Sequence, residues 1–326
     1  MTRKIDLDVL PDPREPLGLW RGADQNEVEL GTEVADERLD DGLAVFTEVR
    51  PRLFGIAYRM LGSVADAEDL VQEVWVRWQQ YDRASVREPA AFLATTTTRM
   101  AINELQSARL RRETYVGPWL PEPIATGTDP ELSAEDDETL QLAVLFLLER
   151  ATPAERAAYV LHEAFAYPYS EIATIIDTTE ANARQLARRA RRRLDSPRRT
   201  QVGPAEQRRF LAAFIEAARS GEVERLESLL AEDIVLYADG GGVGNASRIP
   251  VEGAARVARF VAAFSVWLWD LVEVRWVEAN GLTAAVLVYE GVPYAMFTVT
   301  ATEDGIDGQY WMMNPAKLGG VFFLMD

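Results

Sequence analysis

SEIATIIDTTEANARQLARRARRRL, residues 170–194, is the stretch that decides how the middle of the chain folds. Its apolar spacing predicts a short helix over 171–176, a tight turn at 177–179 and a longer helix that ends near 194. One side of the longer helix carries small and apolar residues that would face a core, namely Ala183, Leu186, Ala190 and Leu194. Two helices joined by a three-residue turn are typical of the helix-turn-helix motif.

The opposite side of the longer helix is strongly basic. Between 184 and 199 the chain has eight arginines against one acid, Asp195. The whole chain is acidic, with 34 basic and 52 acidic side chains and a formal net charge of −18, so any affinity for a polyanion must be local. A charge this concentrated indicates a nucleic-acid-binding helix better than an ordinary solvated face.

The start and exposed side of this helix carry side chains suited to reading DNA. A recognition helix meets base edges at its start, Arg pairs with guanine and Gln with adenine, and further arginines contact phosphates. The residues predicted to contact DNA here are Thr179, Asn182, Arg184, Gln185, Arg188, Arg191 and Arg192.

The composition excludes several classes of chemistry. The 326 residues include no cysteine and one histidine, His162, which excludes disulfides, thiolate chemistry and a Ser-His-Asp triad. No imidazole cluster is left for a metal, so we predict no metal site and no cofactor. No apolar run approaches the roughly 20 residues that span a bilayer, and the N-terminus lacks the apolar segment of a signal peptide. We therefore expect a cytoplasmic protein with no membrane partner.

Residues 41–115 are predicted to form an all-α block. Apolar residues recur at helical spacing from Leu43, although Pro51 is expected to kink or restart that helix. Ser63 resembles the cap of a second helix, and a third helix is expected from about 90 to 105. The second helix has one polar, mainly acidic side, which is either a solvated face or a docking surface and consists of Asp66, Asp69, Gln72 and Glu73.

The loop 82–89 and the polar side of the third helix form a second candidate DNA surface. Holding an opened strand requires a pocket for unstacked bases and arginines on the backbone. An ordinary polar loop and helix face is the alternative. The residues predicted to contact DNA here are Arg83, Arg87, Arg99, Asn103, Arg109, Arg111 and Arg112.

The remaining segments differ in character. Residues 1–40 mix proline, glycine and acids, and we expect a poorly ordered extension. Prolines and then acids in 116–140 predict an extended linker, followed by the helix-turn-helix domain over 141–200. Over 204–326, alternating strands and an Asn-Gly turn at 280–281 predict an α+β cone, with helices on one face of a curved antiparallel meander around an interior pocket.

Five segments resemble the extracytoplasmic-function sigma factors. They are FGIAYRMLG at 54–62, DAEDLVQE at 66–73, RETYVGPWLPEP at 112–123, SEIA at 170–173 and RQLARRARR at 184–192. The resemblance implies two all-α sigma domains, a region 2 helical bundle and a region 4 helix-turn-helix, followed by the α+β cone.

The cone resembles the SnoaL-like domain that one group of these factors carries. The markers are WLPEP at 119–123, DGGG at 239–242 and NPAKL at 314–318, although Val243 stands where the group usually has lysine. The resemblance implies that this domain regulates the two DNA-binding domains within the same chain. The residues implied in that regulation are Trp119, Pro121, Glu122, Pro123, Asp239, Gly240, Gly241, Gly242, Asn314, Pro315, Lys317 and Leu318.

The resemblance also implies the partners, RNA polymerase core and promoter DNA. The acidic side of the second helix would dock on the polymerase clamp helices. The set on the third helix would contact the minus-ten element and the set on the helix-turn-helix the minus-thirty-five element. We interpret the protein as an alternative sigma factor that has no catalytic residues of its own.

Two other functions stay open. One is a ligand-responsive helix-turn-helix regulator that binds duplex DNA without polymerase. The other is a SnoaL-like cyclase or isomerase with a vestigial DNA-binding part, in which Asp239 would be the acid-base residue. The cone contains no histidine, which argues against catalysis. A small-molecule ligand in its interior pocket is a further open partner.

Overall fold

The computed structural model describes residues 32–126, 138–194, 201–242, 246–263 and 268–324. The chain divides into two compact units, 1–40 and 41–326. The poor order predicted for 1–40 falls outside the described residues over 1–31, whereas residues 32–40 are helical. Val243 and part of the predicted linker also lie outside the described residues. None of the described helices is long and apolar enough to cross a membrane.

The first three helices are α1 (Thr32–Leu61), α2 (Val64–Gln80) and α3 (Pro89–Glu113), with a 3₁₀ turn at Arg83–Ser85. Of the two effects predicted for Pro51, a kink or a restart of the first helix, the restart is wrong, because α1 runs through the proline. Phe46 and Leu53, on either side of the proline, are both buried in the same core, so packing outweighs the lost backbone bond. The third helix continues to Glu113, well beyond the expected end.

The next four helices are α4 (Leu142–Leu148), α5 (Pro153–Glu163), α6 (Tyr169–Ile175) and α7 (Glu180–Leu194), preceded by a 3₁₀ turn at Glu138–Leu140. Helix α4 was not predicted. A full capping box starts α5, where Glu155 N–H donates to Thr152 Oγ1 at 3.2 Å and Thr152 N–H to Glu155 Oε2 at 2.8 Å. Helices α6 and α7 form the helix-turn-helix.

One hydrophobic core holds the helices on both sides of the predicted linker together. Trp78 and Leu93 belong to the first block, Leu161 and Ile172 to the second, and all four are buried in this core. Segment 116–124 contains no helix or strand, and Ala125 forms an isolated bridge to Ala279. The predicted domain boundaries remain predictions.

The C-terminal region, residues 201–324, combines helices with one sheet. Its helices are α8 (Pro204–Ser220), α9 (Val223–Ser228), α10 (Ala254–Ala262) and α11 (Pro315–Leu318), followed by a 3₁₀ turn at Gly319–Leu324. Its strands are β1 (Leu230–Asp239), β2 (Val251–Glu252), β3 (Glu273–Ala279), β4 (Leu282–Tyr289), β5 (Val292–Thr302) and β6 (Gly305–Met312).

The sheet is mixed, with strand order β2-β1-β6-β5-β4-β3. Strands β3 to β6 form the expected antiparallel meander, and Asn280-Gly281 turns β3 into β4 with φ of 53° and 73°. Strand β1, which the predicted meander does not include, pairs parallel with β6. The chain can make this pairing because α10 and four strands, β2 to β5, lie between β1 and β6, and a parallel pair needs such a long connection.

Both faces of the sheet are covered. Alternate residues of a strand point to opposite faces, so Trp311 packs with α8 and α10, whereas Tyr310 and Met312 join a core on the other face. That second core is completed by residues from outside the C-terminal region: Leu120, Leu142 and Ala143. Segment 116–124 and α4 therefore form one wall of the sheet's core.

Candidate functional site

The solvent-facing side of α7 carries most of the residues predicted to read DNA. Thr179 starts the helix, since its Oγ1 accepts the Asn182 N–H at 3.2 Å, and Asn182 Nδ2 donates to Thr178 Oγ1 at 2.8 Å. The side chains of Thr179 and Asn182 therefore form hydrogen bonds within the turn and the start of α7. The predicted residues that are exposed on α7 are Arg184, Gln185, Arg188, Arg191 and Arg192.

Three arginines of α7, including the predicted DNA residue Arg191, form ion pairs with α5. Arg189 and Arg193 lie 3.6 and 3.3 Å from the buried Glu155, and Arg191 lies 2.8 Å from Glu163. Burial opposes ionisation of Glu155, but the bonds from Thr152 and the charge of the arginines outweigh it and lower the pKa of the carboxyl. Within the described part of the chain, Arg188 makes no ion pair, so its charge is left for a partner.

The acidic side of α2 is largely exposed. Asp69, Gln72 and Glu73 face solvent, and Glu73 pairs with Arg77 at 3.0 Å on the same helix. Asp66 is half-buried at the helix start, where its N–H donates to Ser63 Oγ at 3.2 Å. The structure thus places three of the four predicted docking residues on an open surface.

The described residues predicted to contact the minus-ten element differ in exposure and in their partners. Arg87 and Asn103 are exposed, whereas Arg83 is half-buried and lies against Gly42. The Arg99 guanidinium donates to the carbonyls of Ile175 at 2.8 Å and Thr174 at 3.0 Å, at the end of α6. The side chains of Arg109 and Arg111 lie outside the described part of the structure.

Arg112, predicted to contact DNA, does not lie on an open surface. Its side chain is mostly buried, forms an ion pair with Glu149 after α4, donates to the Leu61 carbonyl, and lies over the Trp119 ring at 3.5 Å. A planar guanidinium suits both contacts, the carboxylate and the aromatic face. Arg112 therefore joins α1, the end of α4 and segment 116–124 in this structure.

Asp239, at the end of β1, is the centre of a buried polar cluster. We call Tyr115, Leu120, Asp239, Asn314 and Lys317 the Asp239 cluster. Asp239 is fully buried and accepts bonds from Lys317 Nζ at 2.8 Å, the Leu120 N–H at 2.8 Å and the Tyr115 hydroxyl. Asn314 Nδ2 donates to the same hydroxyl at 2.8 Å, and Lys317 also donates to the Leu120 carbonyl. One carboxylate thus holds both ends of segment 115–120.

Glycines allow this close approach. Gly240 leads from β1 into a turn in which Gly241 and Gly242 have φ of 61° and 80°, a region that favours glycine. A Cβ on Gly241 would lie 2.6 Å from the Asn314 side chain, and one on Gly242 3.2 Å from Val116. The positive φ angles and the short distances to Asn314 and Val116 therefore both disfavour larger residues at Gly241 and Gly242.

The WLPEP residues contact the start of α2. The Glu122 carboxylate accepts the Val64 N–H at 2.7 Å, and the Glu122 N–H donates to the Gly62 carbonyl at 2.8 Å. A carboxylate at a helix N-terminus is favoured by the helix dipole. Trp119 lies under Lys317 Nζ at 4.0 Å, and Pro121 and Pro123 are buried. Pro315 starts α11, and Leu318 is buried in the second-face core.

A second cluster was missed by the sequence reasoning. We call Tyr58, Ile124, Leu140 and Asn280 the Asn280 cluster. The buried Asn280 side chain donates to Tyr58 Oη at 2.8 Å and the Leu140 carbonyl at 2.9 Å, and accepts the Ile124 N–H at 3.2 Å. Burial raises the pKa of Tyr58. The Asn-Gly pair indicated only a turn, and nothing local indicated what its side chain would contact.

Within the described residues, no group of three or more His, Asp or Glu side chains is placed to hold a metal ion.

Comparison with known proteins defines the class. Residues 45–111 match the family model "Sigma-70 region 2", and residues 141–194 match "Sigma-70, region 4". These are the helices that carry the acidic side of α2 and the arginines of α7. The chain is therefore a promoter-recognising sigma factor, and neither family model indicates an enzyme.

Individual relatives narrow the class to a family. The chain is 38% identical over 221 residues to the ECF RNA polymerase sigma factor SigJ of Mycobacterium tuberculosis H37Rv, covering 66% of this chain and 70% of SigJ. It is 34% identical over 218 residues to a probable SigI of M. tuberculosis CDC 1551, covering 64% and 71%. The crystal structure of SigJ superposes with a TM-score of 0.68 at 31% identity, covering 85% of this chain and 98% of SigJ. The chain belongs to the extracytoplasmic-function sigma factors.

Proposed function

We propose that the C-terminal region regulates this sigma factor by holding its helical parts in a closed arrangement. The observation that carries the proposal is the buried Asp239 carboxylate, which binds Tyr115 at the end of the region 2 helices and Leu120 five residues later. Promoter recognition with RNA polymerase core would then depend on release of segment 115–124. The protein would act in the cytoplasm, where polymerase works.

The closed arrangement uses side chains that the open form needs. Arg99, predicted to contact the minus-ten element, donates to carbonyls of α6, and Arg112 is paired with Glu149. Both guanidiniums are thus occupied by partners from the region 4 side of the linker. We infer that contact of α3 with an opened DNA strand requires these contacts to break.

The surfaces proposed for the first encounter with partners are accessible without opening. Asp69, Gln72 and Glu73 would meet arginines of the polymerase clamp helices, and the exposed face of α7 would meet the minus-thirty-five element. Initial docking would therefore precede release of the linker.

We further propose that the C-terminal region has no catalytic activity. Asp239 is the acid that a cyclase or isomerase would use, but its oxygens accept bonds from Lys317, Tyr115, Leu120 and Gly241. A carboxylate that is saturated by donors is a poor general base. This favours regulation over the enzyme alternative.

The test is transcription in vitro with purified core polymerase and a promoter selected from a genomic library by start-site mapping. The full chain with Asp239→Asn should start more transcripts than the native chain, by several-fold, because the amide leaves Lys317 buried without a counter-charge and weakens the hold on segment 115–120. The matched control is Glu232→Gln, which removes an exposed charge from the same strand and should change nothing. Equal output from Asp239→Asn and the native chain would overturn the proposal.

A further inference from the structure

The C-terminal region contains an apolar cavity between β1, β5, β6 and α10. The cavity has a volume of about 40 Å³ and opens to solvent. This space is smaller than a complete ligand site, so a bound molecule would place one end in the cavity and the rest in its mouth. The cavity is distinct from both polar clusters, and its main walls are Leu236, Phe260, Trp269, Tyr294, Trp311 and Met313.

One buried donor in the cavity wall has no acceptor. Trp269 is 5% exposed, and its Nε1–H finds no partner in the described structure. Trp311 in the same wall does have one, since its Nε1 donates to Gln309 Oε1 at 3.1 Å. Leaving a buried N–H unpaired is destabilising, and the N–H of a buried tryptophan usually has a partner. The free Trp269 N–H therefore indicates a group that arrives from outside the chain.

The chemistry of the walls limits what that group can belong to. No described residue lining the cavity is charged, so a charged ligand would lose its hydration without compensation. Aromatic rings on several sides suit a flat hydrocarbon body. Burial raises the pKa of Tyr294, which keeps its hydroxyl protonated and neutral.

We propose that this cavity binds a neutral, mainly aromatic small molecule that presents one hydrogen-bond acceptor to the Trp269 Nε1–H. Neither carboxylate nor imidazole is present among the described wall residues, so the site binds and does not catalyse.

The position of the cavity links the ligand to regulation. Ala238 and Met313 line the cavity, and the residues that follow them, Asp239 and Asn314, belong to the Asp239 cluster. The Met313 N–H also donates to the Asp239 carbonyl at 2.7 Å. A ligand that shifts these strand ends would change the hold on segment 115–120. This second step rests on the proposed function, whereas binding itself does not.

Equilibrium dialysis of the full chain tests binding with two probes of matched shape. 2-Acetylnaphthalene carries a carbonyl acceptor, and 2-ethylnaphthalene has the same body without it. We expect saturable binding of one 2-acetylnaphthalene per chain, about five- to tenfold tighter than 2-ethylnaphthalene because of one hydrogen bond. Trp269→Phe, which keeps an aromatic wall and removes the N–H, should abolish the difference between the probes.

Ala246→Phe tests the location, because Ala246 lines the cavity and is only partly buried. The added ring should fill the cavity and weaken binding of both probes at least tenfold. Ala255→Phe, which adds the same ring to an exposed position of α10, should bind like the native chain. Absence of saturable binding, equal affinity for the two probes, or unchanged binding by Ala246→Phe would each overturn the proposal.

The link to regulation is measured separately, as transcription with and without saturating 2-acetylnaphthalene. A change in output with the native chain that disappears in Ala246→Phe supports the link. Normal binding with no change in output refutes the link and leaves the site intact, whereas failure of the Asp239→Asn test refutes the switch alone.

Discussion

Asn280 shows how much a single side chain connects in this protein. It occupies a left-handed turn position, with φ of 53°, and its amide contacts α1, segment 116–124 and the turn before α4. A turn residue usually faces solvent, but this one is 2% exposed. The hairpin therefore fastens the C-terminal region to the helices by its tip.

Substitutions at Asn280 separate the turn from the contacts. Asn280→Gly keeps the backbone conformation and removes the side chain, and we expect it to lower the free energy of unfolding by about 1–3 kcal/mol through lost buried bonds. Asn280→Asp should destabilise more, because a carboxylate oxygen would face the Leu140 carbonyl. Urea unfolding followed by circular dichroism measures both. Equal stability of Asn280→Gly and the native chain would show that the contacts are dispensable.

The packing of α7 on α5 is expected to weaken in acid because it depends on the Glu155 carboxylate. Its folded-state pKa lies below its ordinary value of 4.5, so its stabilising contribution is present above that value and is lost as the pH falls through the folded-state pKa. Glu155→Gln should be less stable than the native chain at pH 7, and the gap should narrow below about pH 4.5. Urea unfolding at pH 7, 5 and 3.5 tests this, with the exposed Glu171→Gln as control. A gap that widens in acid would contradict the assignment.

At the scale of elements, one side of α7 is expected to bind DNA and another side contacts α5. Arg188 is exposed without an ion pair among the described residues, whereas its neighbour Arg189 lies beside Glu155. Arg188→Gln should reduce transcription from the cognate promoter about tenfold, since a bidentate base contact contributes about 1–3 kcal/mol, without changing the unfolding midpoint. Arg189→Gln should shift the midpoint more and transcription less. The reverse ranking would place the DNA-binding face on the other side of α7.

Helix α2 is expected to act on polymerase rather than on DNA. Asp69 is exposed on its acidic side. Asp69→Asn should weaken binding to core polymerase several-fold by removing a charge-assisted bond, and binding of the free chain to promoter duplex should not fall. The exposed Gln80→Asn, at the end of the same helix, is the matched control. Loss of duplex binding with native affinity for core would refute the docking role.

The elements differ in how far local sequence determined them. The helix-turn-helix and the capping box of α5 could be predicted because apolar spacing and cap residues act within one or two turns. Local sequence could not predict that α1 continues through Pro51 or that β1 pairs parallel with β6. It also could not predict that the Arg112 side chain is buried. Each depends on residues far along the chain, and for Arg112 the partner is Glu149. The WLPEP, DGGG and NPAKL residues lie close together in the structure, but only family resemblance led us to group them.

At the scale of the whole molecule, the charge of −18 works against binding of the free chain to DNA. One arginine-rich helix must overcome the repulsion of an acidic surface. We expect the isolated protein to bind promoter duplex weakly at about 150 mM salt, where screening reaches only about 8 Å, and polymerase core to supply most of the affinity. Fluorescence anisotropy with and without core measures this. Tight binding by the free chain that persists as salt rises would contradict it.

The second face of the sheet gives the closed arrangement a further meaning. Leu120, Leu142 and Ala143 shield strand residues such as Val286 and Met296 from water. If segment 116–124 and α4 moved away together, those side chains would form an exposed apolar patch. Chaperones and proteases act on proteins that expose such patches. If activation only released these elements from the sheet, the protein would therefore become a target for degradation. If polymerase instead covered this patch as the helices move away, the protein could be active without being degraded.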